Sequence, residues 1–191
     1  MQFAMRAPIK RAALAAVLGS GLLALGPLLA GCSHYVLGTD GRLAFSTIYV
    51  EPVENRAFIP QAQAIVSAQL RDAFEKDGRV TLVNSPEAAD ATLTVVITDY
   101  HREVAAVRET DTGLASKFNL TLAVVCALTD NRAHRAYFQG RPIYATREAF
   151  TDNGAPASTA VGNQLQSEYN TLPLLAQQLA DKISHAVLDV W

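Results

Sequence analysis

Three residues close together in the sequence offer the chain its most obvious route to catalysis. Cys126 is a potential nucleophile, His134 a potential base, and Asp130 a potential partner for that base across a turn. Cys126, however, lies in an alternating apolar segment, which predicts a thiol that points into the core and has no group to stabilise its thiolate. We therefore expect this trio to be accidental rather than an active site.

The remaining sequence contains no recognisable catalytic or metal-binding pattern. There is no G-x-S-x-G, glycine-rich phosphate loop, H-E-x-x-H or C-x-x-C. The four histidines, His34, His101, His134 and His185, lack the spacing of metal ligands. We predict that the protein is not an enzyme and that it holds neither a metal nor a cofactor.

The first 31 residues have the layout of a secretory signal peptide. Three basic residues, Arg6, Lys10 and Arg11, precede a long apolar run, and small residues follow at 30–31. Several glycines and Pro27 interrupt the run, which argues against a retained membrane-spanning helix. We expect cleavage to leave a mature chain of residues 32–191.

The sequence Leu29-Ala30-Gly31-Cys32 resembles the lipobox of bacterial lipoproteins. In that class the cysteine thiol receives a diacylglycerol and becomes the first mature residue, so the resemblance implies that Cys32 is lipidated. At least two acyl chains, such as palmitate, are needed for stable anchoring. Ser33, in place of aspartate, implies sorting to the periplasmic face of the outer membrane. The alternative is an ordinary cleaved signal that leaves Cys32 free or paired to Cys126.

The composition of the mature chain limits its function further. Its 160 residues suit a single domain with a sizeable core. They carry 13 basic and 18 acidic residues, which is the opposite of the balance expected for a nucleic-acid-binding protein. If Cys32 is acylated, Cys126 has no partner for a disulfide.

Hydrophobic periodicity predicts two helices and a sheet. One apolar stripe begins near Ala62 and ends at Asp77-Gly78; a second extends from Leu165 to Val190, with a kink or a fresh start near Thr171 because of Pro173. Segments rich in β-branched residues, or alternating between apolar and polar, predict strands at 43–50, 79–83, 91–102, 118–128 and 134–145. We expect linkers at 32–42 and 51–60 and a flexible loop at 151–160.

These elements predict an α+β fold, with a mixed, largely antiparallel sheet of four to five strands and two helices packed on one face. Gly140-Arg141-Pro142 should interrupt the last strand and place it near an edge. The face without helices is small and threonine-rich. It is either solvated or docked against a large partner.

The order of motifs resembles the LptE-type lipopolysaccharide-assembly lipoproteins. Its most telling parts are "ENR" followed by a proline at 54–60, "DGR" before a strand at 77–79, and "EAAD" before the next strand at 87–90. The resemblance covers nearly the whole mature chain, although it departs at 134–146 and at Pro173. It implies a non-enzymatic outer-membrane lipoprotein that partners and plugs the LptD β-barrel translocon and assists lipopolysaccharide assembly at the cell surface.

Lipopolysaccharide carries phosphates, so direct contacts to it should use guanidinium or ammonium groups. The candidates lie in two hairpin regions of the sequence: Arg102, Arg108, Lys117, Arg132 and Arg135. Each of them is also consistent with an ordinary solvated charge. Because "IYVEPVENRAF" is also similar to other outer-membrane lipoproteins, activation of peptidoglycan synthesis or a curli-type secretion assembly is the alternative function.

Overall fold

A computed structural model describes residues 43–107, 115–151 and 160–190. For residues 160–162 it describes the backbone alone. These residues belong to one compact unit that extends from Arg42 to Trp191. In chain order, the elements are β1 (Thr47–Val50), β2 (Glu54–Asn55), α1 (Ala62–Asp77), β3 (Thr81–Val83), a short 3₁₀ turn (Pro86–Ala88), β4 (Ala91–Val107), β5 (Ala115–Asp130), β6 (Arg135–Phe150) and α2 (Ala160–Leu188).

The strands form one mixed sheet in the order β3-β1-β4-β5-β6, and β2 also pairs with β4. Strand β1 is parallel to both β3 and β4, while β4, β5 and β6 form an antiparallel meander. The helix α1 connects β1 and β2 to β3, as expected because parallel neighbours need a crossover connection. The predicted α+β class is confirmed.

Both helices cover the same face of the sheet. The α1 stripe buries Ala62, Val66, Leu70 and Phe74, and the even-numbered positions of β5 from Phe118 to Leu128 are buried beneath the helices. The odd-numbered positions of β5, on the opposite face, are only partly buried. Cys126 is one of the buried positions, and burial raises the pKa of its thiol to about 12.

Several sequence-based boundaries need correction. The sheet has six strands, because the expected loop at 51–60 contains the two-residue strand β2. Proline suits the first position of a helix, so the sequence predicts that α1 starts at Pro60. The helix starts at Ala62 instead, and β4 continues five residues past Arg102 to Val107. Helix α2 is continuous through Pro173, so there is no fresh start at Thr171.

Two other predictions on strand and helix ends are confirmed. Gly78 ends α1 in the left-handed conformation, with φ of 72°, and its N–H donates to the carbonyl of Phe74 at 3.2 Å. Strand β6 is indeed an edge strand. Its backbone does not break at Pro142; a register shift near Leu128 of β5 accommodates the irregularity.

The signal peptide, Cys32 and the linker at 32–42 lie outside the described residues, as does most of the loop predicted at 151–160. Ala160, the last residue of the predicted loop, belongs to α2. Within the described ranges, no helix combines the length and the hydropathy needed to cross a bilayer.

Candidate functional site

The candidate residues lie at two opposite ends of the sheet. We call one the closed end: Ser46, Thr47, Asp90 and the turn 130–135, where β1, β4 and β5 meet. We call the other the tip: residues 98–107 of β4 and 115–120 of β5, together with Phe58 and the first half of α2. Ten residues of β5 separate Leu120, which pairs with Arg102, from Asp130, a separation of about 33 Å.

The carboxylate of Asp90 organises the closed end. Its Oδ2 atom accepts hydrogen bonds from the Ser46 N–H at 2.9 Å, the Ser46 hydroxyl at 2.8 Å and the Thr47 N–H at 3.1 Å. Arg132 forms an ion pair with the other oxygen. These donors, the Ser46 N–H first, lower the pKa of Asp90 from 3.8 to about 2. Asp90 therefore ties β1 to the start of β4.

The turn after β5 adds a second polar link at this end. The Asn131 amide nitrogen donates to the carbonyls of Pro86 and Ala89, at 2.9 and 3.0 Å, and its oxygen accepts from the Thr92 hydroxyl at 3.0 Å. These three bonds hold the 3₁₀ turn against the hairpin. The "EAAD" motif at 87–90 thus lies against the turn at 129–131, which accounts for it as a structural feature.

Asp130, His134 and Cys126 do not form a catalytic arrangement. Asp130 accepts from the N–H groups of Arg132 and Ala133, both at 2.9 Å, and from the Tyr137 hydroxyl at 3.2 Å. These contacts lower the pKa of Asp130, with the Ala133 N–H making the largest contribution. His134 is exposed in the turn, with φ of 51°, whereas Cys126 is fully buried on the helix side of β5.

The two arginines of this turn already have acidic partners. Arg132 contacts Asp90, and Arg135 lies 3.9 Å from an Asp130 oxygen. Both guanidinium groups nevertheless stay largely solvent-exposed, at 79% and 72% of the side chain. The bulky apolar side chains that the structure exposes are all elsewhere.

At the tip, Glu168 of α2 links the helix to β4. It accepts from Arg102 at 2.6 Å and from the Tyr100 hydroxyl at 3.4 Å. The Arg102 guanidinium also lies 5.5 Å from the centre of the Phe118 ring, which orients it by a cation–π contact. Burial, followed by the Glu168 charge, raises the pKa of Tyr100 to about 12.

Lys117 occupies the opposite face of the sheet at the tip. Its ammonium contacts Glu148 at 2.9 Å and lies 5.9 Å from the centre of the Phe150 ring. Arg102 pairs with Leu120, an even-numbered position on the helix side of β5, whereas Lys117 is odd-numbered and on the open side. The two cations are therefore near each other along the strands but separated by the sheet.

The tip also exposes large apolar side chains. Phe58 is fully exposed, and Leu165 and Tyr169 are 60% and 62% exposed. These three residues and Tyr100 line a cavity of about 370 Å³ whose wall includes Glu168, the partner of Arg102. An apolar cavity beside a guanidinium suits an amphipathic ligand or partner.

The structure thus separates the four predicted cations that it describes instead of gathering them. Arg102 and Lys117 lie at the tip, Arg132 and Arg135 lie at the closed end, and Arg108 is outside the described residues. Sequence reasoning missed Phe58 and Glu168. The residue spacing carries no signal for Glu168, because 66 positions separate it from Arg102. Nowhere in the three described ranges do three or more potential ligands cluster to hold a metal ion.

A family model described as LptE, lipopolysaccharide-assembly, matches residues 45–187. The search of curated proteins gives no match.

Three solved structures share the fold. The hypothetical protein CT253 from Chlamydia trachomatis has a TM-score of 0.51 at 13% identity and covers 77% of this chain and 98% of its own. The protein XCC0632 from Xanthomonas campestris has a TM-score of 0.51 at 12% identity, and the match covers 77% of this chain and 85% of that protein. The rare lipoprotein B from Shewanella oneidensis has a TM-score of 0.50 at 14% identity, and the match covers 74% of this chain and 92% of that protein. At such low identity these structures are evidence for the fold alone.

Proposed function

The chain belongs to the LptE lipopolysaccharide-assembly family, and we propose that it is a non-enzymatic outer-membrane lipoprotein that partners and plugs an LptD-type β-barrel. In this proposal Cys32 carries the lipid anchor on the periplasmic face, and the folded domain assists the delivery of lipopolysaccharide to the cell surface. The observation that carries the proposal is the family match over residues 45–187, which includes nearly the whole described domain.

The character of the described domain supports a binding role over a catalytic one. The buried thiol of Cys126 has a raised pKa, so it is a poor nucleophile. Two of the acids with lowered pKa values, Asp90 and Asp130, are occupied by hydrogen bonds that hold the closed end together, and the third, Asp77, is paired with Arg79. What the domain offers to a partner is surface: an exposed apolar tip and an open, threonine-rich sheet face.

We assign direct contact with lipopolysaccharide to the tip. The ligand combines phosphates with acyl chains, and at the tip Arg102 lies next to the apolar cavity lined by Phe58, Leu165 and Tyr169. Arg102 is 43% exposed, so a phosphate can approach it from the side away from Glu168. Lys117 would contact phosphate on the open face of the sheet at the tip. Arg132 and Arg135 have comparable charge, but no residue in the described ranges gives them an exposed apolar neighbour of similar size.

Co-purification tests the partnership directly. The full-length protein, tagged at its C-terminus, is solubilised from membranes in mild detergent and recovered with whatever is bound to it. We expect a large β-barrel protein in near-equal amount. Recovery of a peptidoglycan synthase, or of a symmetric ring made of this chain alone, would contradict the proposal and support the alternative function.

A further inference from the structure

Strand β6 has one side that pairs with no other strand in the described chain. The Thr151 N–H, just after the strand, donates to the Ser116 carbonyl at 2.9 Å, which sets the phase of the ladder. Odd-numbered residues of this end of β6 therefore bond to β5, and even-numbered residues direct their backbone N–H and C=O outward. Pro142 fits this phase, because its missing N–H falls on the outward side.

Side chains of α2 already bond two of the outward carbonyls. The Lys182 ammonium donates to the Tyr144 carbonyl at 2.9 Å, and the Ser167 hydroxyl donates to the Phe150 carbonyl at 2.7 Å. Between these two points lie Thr146 and Glu148. No hydrogen bond from the described part of the chain reaches their outward backbone groups. The edge is thus held at both ends and open in the middle.

A groove follows this open stretch of the edge. Its volume is about 680 Å³, and it lies between Thr146 and Glu148 on the strand and Thr171, Leu174, Gln178 and Asp181 on α2. A free strand edge beside a helix is the arrangement by which PDZ-type domains bind extended peptides, which add a strand to the sheet.

The backbone groups of the groove select its occupant. Outward N–H and C=O groups repeat every two residues, about 6.8 Å apart, and an extended polypeptide presents complementary groups at the same interval. Acyl chains offer no such groups, and the polar side chains that line the groove, which are amides, carboxylates, hydroxyls and the guanidinium of Arg147, do not favour them. A closed barrel has no free strand edge of its own, so a barrel partner would have to supply a loop or a terminal arm.

We propose that the edge of β6 between Tyr144 and Phe150 binds an extended loop or terminal segment of the barrel partner by strand addition. This inference rests on the proposed function and names the partner-facing surface. The bonds from Lys182 and Ser167 limit the added strand to about three to five residues. Its backbone hydrogen bonds would contribute affinity and also fix the orientation of this domain relative to the barrel.

The test compares Thr146→Pro with Thr146→Ala in the full-length lipoprotein. Both variants lose the hydroxyl contact between Thr146 and Thr121 at 2.9 Å, but only proline removes the outward N–H. We expect recovery of the barrel protein to fall about ten-fold for Thr146→Pro and to stay at the wild-type level for Thr146→Ala. Equal recovery with both variants would overturn the inference.

Hydrogen exchange provides a second measurement that needs no variant. In the purified wild-type chain, the amides of Thr146 and Glu148 should exchange rapidly, while those of β5 at 118–124 are protected. In the co-purified complex, peptides that span 144–150 should become protected. Unchanged exchange in this stretch would also overturn the inference, even if Thr146→Pro fails to fold.

Two other results have distinct meanings. If the isolated chain dimerises and Thr146→Pro abolishes the dimer, the occupant is a second copy, and the inference is wrong. If the wild-type protein recovers no barrel protein at all, the proposed function fails and the inference fails with it. Failure of the inference alone is recognised by normal recovery of the barrel with the proline variant.

Discussion

The closed end of the sheet is held by internal hydrogen bonds, whereas the tip exposes large apolar side chains to solvent. At the closed end, the side chains of Asp90 and Asn131 each make three hydrogen bonds to neighbouring segments, so short elements that could not fold alone are fixed in place. At the tip, Phe58, Leu165 and Tyr169 remain exposed although they are large and apolar. Exposed apolar surface of this kind adds little to folding and marks a place of contact.

Similar charges therefore have different roles at the two ends of the sheet. Arg132 completes a network around a buried carboxylate, whereas Arg102 and Lys117 are held beside aromatic rings on an exposed surface. We therefore expect substitutions at the closed end to change stability, and substitutions at the tip to change binding. The following predictions test that division, beginning with the largest effect.

Asp90→Ala should lower the free energy of unfolding by about 3 kcal/mol, because it leaves the N–H groups of Ser46 and Thr47 without their acceptor. Glu168→Ala is the matched variant at the tip. It frees Arg102 and Tyr100 to be hydrated and should cost less than about 1 kcal/mol. Urea denaturation followed by circular dichroism measures both. Equal costs would remove the distinction between the two ends.

Acid should weaken the closed end through Asp90. Its pKa in the folded protein, about 2, is below the ordinary value of 3.8, so the ionised carboxylate stabilises the fold at every pH above about 4. This contribution, about 1–2 kcal/mol after allowance for solvent screening, is lost as the pH falls from about 4 towards 2.

Asp90→Asn isolates that contribution, because asparagine cannot titrate. The difference in unfolding free energy between wild type and Asp90→Asn should shrink as the pH falls through this range, as measured by urea denaturation at each pH. Asp77 and Asp130 also have lowered pKa values, but their contributions are present in both proteins and cancel. A difference that does not change with pH would contradict the assignment.

Neutral substitutions separate the two pairs of candidate cations. Arg102→Gln with Lys117→Gln should weaken lipopolysaccharide binding about five-fold, because charge-assisted contacts to phosphate are lost. Arg132→Gln with Arg135→Gln should leave binding within about two-fold of wild type. Binding of fluorescent lipopolysaccharide to the detergent-solubilised proteins measures both. The reverse order would move the binding site to the closed end.

The smallest effect on stability is expected at Phe58. Because its side chain is fully exposed, Phe58→Ala should change the unfolding free energy by no more than about 0.5 kcal/mol. Phe45, buried at the closed end and 5.7 Å from the Tyr137 ring, is the matched control, and Phe45→Ala should cost about 3 kcal/mol. A large loss from Phe58→Ala in thermal denaturation would show that the tip contributes to the core.

The fold was predictable where burial imposes a period on the sequence. The α1 stripe, the alternation of β5 and the glycine after α1 all follow from packing on one face or from a backbone requirement, and these predictions are confirmed. Strand β2 is too short to show a period. The last five residues of β4, after Arg102, were missed because, beyond the register shift between Ile97 and Asp99, the strand leaves the core and its side chains are mostly exposed.

The sites were less predictable than the fold. A phosphate-bearing ligand, which the family resemblance implies, favours Arg102 and Arg132 alike, and only the tertiary structure distinguishes their surroundings. The partner of Arg102 lies on α2, and Asp90 lies one hairpin away from Arg132. Such long-range pairing leaves no local pattern. The open edge at Thr146 could not be predicted from the sequence either, because the neighbouring strand decides which backbone N–H and C=O groups point outward.

If the protein assists lipopolysaccharide delivery, as we propose, its loss should reduce the lipopolysaccharide at the cell surface. Controlled depletion of the protein in its own host, followed by measurement of surface lipopolysaccharide and of unrelated outer-membrane proteins, tests it most directly. We predict that surface lipopolysaccharide is lost while the unrelated proteins remain, and that the full-length chain restores it. Normal surface lipopolysaccharide after depletion would contradict the claim.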